Sequence, residues 1–286
     1  AVPLVPAAKP KSVLVIGGGV AGMEAARIAA LRGHKVTLME KDAELGGVVT
    51  VLALNPLTAE FRNIVDFLAT QMGKLKVEVR VCKEASMADV KELNPDVVIL
   101  ATGSSAILPE EAKGKPGVMT HEEALRRKRE IGNKVVVWGF FGADLALSLA
   151  EEGKEAVLIG RGGEGSLASD VPGSRTFWLI KKLTDANVVR ETPMAMRVSN
   201  PEVLYNVEVE DVILEGIRII DKKGKKRVLA FDTLILSRRF GERRKNDALF
   251  DELQGKIAEV HKIGDCSEAK EIKDAIWSAN EVARKI

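Results

Sequence analysis

Two copies of one βαβ unit, a glycine-rich turn set between a strand and a helix, and a length sufficient for two cores make this an α/β protein with parallel sheets. The expected architecture is two Rossmann-like dinucleotide-binding domains, the second inserted into the first. At 286 residues the chain exceeds the ~100–200 residues of one average domain, so two domains are the prior. The repeat appears when the sequence is laid over itself without a gap. Gly19 then falls on Gly139, Gly22 on Gly142, Glu24 on Asp144, Gly33 on Gly153 and Leu38 on Leu158.

Each copy opens on an apolar strand, Ser12 to Ile16 and Lys134 to Val137, followed by a glycine turn. Alanine-rich helices come next, Ala21 to Leu31 and Ala143 to Glu151, and then second strands, Lys35 to Glu40 and Glu155 to Gly160. The first turn reads Gly17-Gly18-Gly19-Val20-Ala21-Gly22, a G-x-G-x-x-G in strand-to-helix context with Glu40 closing the next strand. Such a turn serves a dinucleotide: Gly17 permits the tight turn, Gly19 admits a pyrophosphate to the backbone, and Gly22 lets the helix pack on the strand. The helix start at Ala21 offers free N–H groups to the phosphates, and Glu40, followed by Lys41, accepts from the adenosine ribose hydroxyls.

Composition excludes several other classes. With 43 basic against 41 acidic side chains and a net charge of +2, nothing calls for nucleic acid. No stretch approaches the ~18 unbroken apolar residues of a membrane span, and Ala1 to Ser12 lacks a signal-peptide pattern, so a cytoplasmic protein is expected. Cys82 and Cys266 are too far apart in sequence for a Cys-x-x-Cys pair or a cluster-ligand set, and His34, His121 and His261 are scattered. Neither a metal site nor a catalytic dyad is expected.

Further along lie Gly46-Gly47, the apolar run Asp96 to Leu100 ending in Ala101-Thr102-Gly103, and a late strand ending in Gly264-Asp265, followed by a helix from about Ile272. These pieces, in this order, resemble the two-dinucleotide-binding-domain flavoproteins related to glutathione reductase. The likeness runs closest to the C-terminal FAD and NAD(P) half of the old-yellow-enzyme-like reductases, the group of 2,4-dienoyl-CoA reductase, 2-enoate reductase and trimethylamine dehydrogenase. It is carried by Lys11 to Gly19, Glu24 to Val36, Leu93 to Gly103 and Leu253 to Cys266, and it spans nearly the whole chain.

The resemblance implies FAD in the first domain and NADPH or NADH in the second. It implies that Asp265 binds the ribityl chain or pyrophosphate, with a helix-capping aspartate as the alternative. By the same resemblance the last helix, near Asp274 and Ala275, faces the isoalloxazine, and Gly46, Gly47, Ala101, Thr102, Gly103 and Gly264 line the FAD. Because FAD segments lie at both ends of the chain, the domains are expected at 1–108, 109–231 and 232–286. The first boundary is marked by Pro109, Gly114, Pro116 and Gly117.

The second copy departs from the pattern. Its turn reads Val137-Trp138-Gly139-Phe140-Phe141-Gly142, which in the ungapped overlay lacks the first fingerprint glycine and keeps Gly139 and Gly142. Gly160 replaces the acid and Arg161 follows it, a change that suits the 2′-phosphate of NADP or, equally, a surface arginine. Arg239 stands where the resembled family has a small turn. Between Val203 and Leu229, alternating apolar residues around a lysine-rich turn read as a hairpin or meander.

Two functions follow. In one, an FAD-dependent oxidoreductase module takes hydride from NAD(P)H and passes electrons to a partner domain or subunit, such as an FMN/iron–sulfur barrel, within a hetero-oligomer or longer chain. In the other, a flavin- or ADP-binding structural and electron-relay module carries a vestigial second site. The proline-rich start, Ala1-Val-Pro-Leu-Val-Pro, resembles a linker and favours a place downstream of another domain. The small subunit of glutamate synthase is the other family likeness, without its cysteine-rich region.

Overall fold

The computed structural model describes residues 3–163, 166–167, 173–184, 202–237, 243–245 and 248–286. The chain forms two compact units, Ala1–Ala53 with Glu60–Ser105 and Arg243–Ile286, and Leu54–Ala59 with Ala106–Glu242. Arg239 and its neighbours at 238–242 lie outside the described residues.

The first unit is built on a five-stranded parallel sheet in the order Glu259–Lys262, Val97–Leu100, Ser12–Ile16, Lys35–Met39 and Glu78–Arg80. Strands buried on both faces read as unbroken apolar runs, and Ser-Val-Leu-Val-Ile and Val-Val-Ile-Leu do. Their side chains alternate between two cores. Val13, Val15, Val97 and Ile99 pack with Met23, Ile28 and Ala279, while Leu14, Ile16, Val98 and Leu100 pack with Leu253 and Cys266 on the other side.

The helices Val20–Leu31 and Ile272–Ala283 lie together on the first of these faces. The buried carboxylate of Glu24 joins them: Arg27 Nε donates to it at 2.7 Å and Asn280 Nδ2 at 3.0 Å. The ends of the chain thus share one core with its first strand. Cys266 belongs to that fold, its thiol donating to Leu100 O at 3.1 Å, while Cys82 is exposed.

The second unit carries another five-stranded parallel sheet, ordered Val118–Thr120, Thr233–Leu236, Lys134–Trp138, Glu155–Ile159 and Glu202–Leu204. An antiparallel meander, Glu208–Ile213, Gly216–Ile220 and Lys226–Leu229, completes its core with Ile217 and Ile219. Its lysine-rich tip is closed by Asp221, whose Oδ1 accepts from the N–H groups of Lys223 and Lys225 at 2.8 and 3.0 Å. His121 is buried just after Thr120, which caps the short helix His121–Leu125.

One local device gives a pH prediction. The short helix Met87–Leu93 starts in a capping box, with Ser86 accepting from Asp89 N–H and the Asp89 carboxylate accepting from Ser86 N–H at 2.9 Å. Lys83, at 2.7 Å, and Ser86 hold the Asp89 carboxyl down from an ordinary 3.8 to about 2. A depressed carboxyl stabilises above its unfolded value and loses that contribution as pH falls toward the folded value. Wild type should therefore lose stability between about pH 4 and pH 2 that Asp89→Asn lacks from the start; parallel acid curves in a Tm-versus-pH series would contradict it.

Among the described residues, no helix is long and apolar enough to cross a membrane, and no three His, Cys, Asp or Glu side chains gather as metal ligands.

Candidate functional site

The glycine turn of the first unit is shaped by three different constraints. Gly17 has φ +107°, and a Cβ there would lie 2.3 Å from Ala101 O, so only glycine turns the chain so close to the neighbouring strand. Gly22 is tighter: its Cβ would lie 1.8 Å from Gly17 O, which is how closely the helix rides on the strand. Gly19 is the opposite case, with φ −69° and nothing within 4 Å of a Cβ. Nothing inside the protein requires a glycine there, and the open space lies at the N-cap of Val20–Leu31.

That helix start carries no side-chain cap and no acidic residue in its first turn. Its leading N–H groups, Ala21 among them, form a positive end without an internal anion. Glu40, only 6% exposed, closes the side of the turn by accepting from Gly18 N–H at 2.6 Å and Asp42 N–H at 2.8 Å. Each carboxylate oxygen keeps further acceptor capacity after one such bond. Lys41 beside it is exposed.

Long-range packing brings the other sequence-marked residues to this turn. Gly46 donates its N–H to Gly18 O at 2.9 Å and bridges Gly19, and a Cβ on Gly47 would lie 3.3 Å from Gly19 Cα. Ala101 donates to Ile16 O at 2.8 Å, Thr102 Oγ1 is buried with no hydrogen-bond partner, and Gly103 has φ +70° with open space at its Cβ. Gly264 has φ +61° and touches Ala21 on one side and Ala275 on the other. Asp265 faces Ser104, whose Oγ donates to Oδ2 at 3.4 Å.

Sequence reasoning missed Ser104 and Ser278. Ser278 Oγ accepts from Gly264 N–H at 2.9 Å and donates to Ala275 O at 2.9 Å, fixing Gly264 against the last helix. No motif marks either serine, because both matter through partners more than ten residues away or a turn earlier on the helix. Asp274 caps its own helix: its carboxylate accepts from Glu271 N–H at 3.1 Å in a capping box, and Glu271 returns the bond. The start of the last helix is thus satisfied by its own acids, with Ala275 buried against Gly264.

The second turn corrects the ungapped overlay. Gly139 donates its N–H to Ile159 O as Gly17 does to Met39 O, both at 2.8 Å, and their φ angles are +109° and +107°. Gly139 is therefore the counterpart of Gly17, and the first fingerprint glycine is present. Gly142 matches Gly22, because each lies against the residue that ends the neighbouring strand, Ser237 for one and Ala101 for the other. Between the paired glycines stand Gly18-Gly19-Val20-Ala21 in the first turn and only Phe140-Phe141 in the second. The second turn is two residues shorter, and it has no open glycine like Gly19 between its paired glycines. Arg161 is exposed next to Gly160.

The first site fits a dinucleotide on three grounds: the cradle at Gly19 that a Cβ would fill, the uncapped helix start, and the unpartnered hydroxyl of Thr102. The second, as it stands, does not fit one in the same manner, since its turn is shorter.

Comparison with known proteins agrees with this geometry. Residues 11–189 match the family described as pyridine nucleotide-disulphide oxidoreductase. The chain is 32% identical over 278 residues to cinnamate reductase of Clostridium sporogenes, covering 96% of this chain and 39% of that protein. It is 28% identical to NADH oxidase of Thermoanaerobacter brockii, covering 96% and 41%. Among solved structures, a 2-naphthoyl-CoA reductase complex superposes with a TM-score of 0.86 at 29% identity, over 99% of this chain and 41% of that one. The chain thus spans about two fifths of the length of these relatives, in keeping with its likeness to the FAD and NAD(P) half of the old-yellow-enzyme-like reductases. The chain belongs to the pyridine nucleotide-disulphide oxidoreductase family.

Proposed function

We propose that this chain is the FAD-binding reductase module of a larger cytoplasmic assembly, reduced by a pyridine nucleotide and delivering electrons to a partner domain or subunit of FMN/iron–sulfur type. The observation that carries this reading is the open backbone at Gly19 before an uncapped helix start. Bound FAD supplies the chemistry, taking up a hydride and giving up electrons onward. The chain's own residues bind and orient it. Gly17, Gly22, Gly46 and Gly47 shape the turn, and Gly19 with the N–H groups around Ala21 receives the pyrophosphate. Glu40, with Lys41 at the rim, holds the adenosine ribose. Ala101, Thr102, Gly103, Gly264 and Asp265 line the ribityl side, while Asp274 and Ala275 set the helix beside the ring.

In this reading the second unit, Leu54–Ala59 with Ala106–Glu242, is a second dinucleotide-binding domain inserted between FAD segments that end at Ser105 and resume at Arg243. The bounds expected from the sequence, 109–231 and 232–286, shift because Thr233–Leu236 pairs within the second unit's sheet. Gly139, Gly142 and Arg161 are its contacts to NADPH or NADH, with Arg161 favouring the 2′-phosphate. A second reading, a flavin- or ADP-binding relay with a vestigial second site, is favoured by one observation, the ring of Phe140 lying on Gly160.

Anaerobic mixing of the purified protein with NADPH and then NADH, followed at the flavin absorbance, tests the proposal. Rapid bleaching is expected, and Arg161→Ala should raise the NADPH Michaelis constant more than that for NADH. Bound FAD that neither nucleotide bleaches would overturn the donor assignment in favour of the relay.

A further inference from the structure

The short second turn places an aromatic ring where the first unit holds the Glu40 carboxylate against the glycine turn. In the first unit a Cβ on Gly18 would lie 2.5 Å from Leu45 Cδ2, 3.0 Å from Glu40 Cβ and 3.1 Å from Glu40 Oε2, so that place is filled by Leu45 and the acid. The residue in that place in the second unit, one after Gly139, is Phe140. Its ring is 9% exposed and lies over Gly160, the counterpart of Glu40, so that a Cβ on Gly160 would meet ring atoms at 2.7–2.9 Å. Gly162 also borders the ring, and Tyr205 packs against it in a tilted arrangement, with centroids 5.6 Å apart and an interplanar angle of 57°. Nearby, Asp144 lies in the first turn of Ala143–Glu151 and pairs with Arg175 at 3.0 Å, so an internal carboxylate takes the favourable place at that helix start.

We infer that Phe140 is a plug over the adenosine-ribose subsite of the second unit, and that a pyridine nucleotide binds there only after the ring leaves Gly160. The inference rests on the reading of the second unit as a pyridine-nucleotide domain. It explains two departures from the fingerprint at once. Gly160 is glycine because the ring leaves no room for a Cβ, and the acid is gone because the ring stands in its place. Ser237 Oγ, 1% exposed and without a hydrogen-bond partner, lies behind Gly142 in the same closed turn.

A site that is open only part of the time binds more weakly by the fraction open. Calorimetric titration of the FAD-loaded full chain with NADP+ and NAD+, which leave the flavin oxidised, reads this out. Phe140→Ala should tighten the Kd at least tenfold over wild type, and Phe140→Leu, which keeps apolar bulk without the ring, should tighten it less. Melting temperature and flavin content establish that each variant is folded. If Phe140→Ala does not fold, Phe140→Leu decides alone: a tighter Kd supports the plug, and an unchanged one overturns it. Equal binding by wild type and variants sinks the plug and leaves the pyridine-nucleotide reading standing. No binding by any of the three sinks that reading, and the plug with it.

Discussion

Gly19→Val should yield a folded protein without flavin. The substituted Cβ has no protein atom within 4 Å, and φ −69° with ψ 179° suits any L-residue. The first unit should therefore keep its sheet, its Glu24 bridge and the melting temperature of flavin-free wild type, since losing FAD alone removes the ligand's share of stability. The branched side chain instead fills the space through which a pyrophosphate reaches the N–H groups of the helix Val20–Leu31. Displacing it forfeits those charge-assisted bonds and adds overpacking, at least about 3 kcal/mol together, or roughly a hundredfold in Kd. The check is the ratio of FAD to protein after purification, beside a thermal melt. A yellow, fully loaded Gly19→Val protein would remove the pyrophosphate from this turn.

How far the sequence reached depended on how local the cause was. Ser12–Ile16 and Val97–Leu100 were legible because a strand buried on both faces must be apolar along its length. Glu40 was legible because it closes the strand that follows the glycine turn. The pairing of Gly19 with Gly139 misled because the two copies keep the same spacing from helix to second strand, where Gly33 and Gly153 agree. An ungapped overlay locks onto that stretch and hides a turn two residues shorter. Backbone bonds to Met39 and Ile159 reveal the true register. Phe140 on Gly160, the unpartnered hydroxyl of Thr102 and the link from Ser278 to Gly264 depend on which distant segments meet, and no local pattern in one sequence encodes them. The capping of the last helix by Glu271 and Asp274 was not legible, because the usual signature has Ser or Thr at the N-cap and Glu or Gln three residues on.

Gly22→Ala should do what Gly19→Val does not, and lower the stability of the first unit itself. On an isolated helix the change would favour folding by about 1 kcal/mol, since alanine is the better helix former. Here the added Cβ would lie 1.8 Å from Gly17 O and 3.2 Å from Ala101 Cβ. The first of these is a backbone atom in the turn and cannot rotate aside, so the helix Val20–Leu31 must lift from the central strand. That movement opens the core shared by Val13, Met23, Ala25 and Ile99 and draws the leading N–H groups away from Gly19. Overpacking against fixed backbone outweighs the gain in propensity, for a net loss of about 3 kcal/mol or more and a melting temperature lower by about 10 °C. Flavin should be lost as a consequence of the displaced helix, in a protein visibly less stable. A Gly22→Ala variant that melts like wild type and holds FAD would mean that the helix has room to spare at this crossing. The close approach of helix and strand would then have to be abandoned as the reason for glycine at this position.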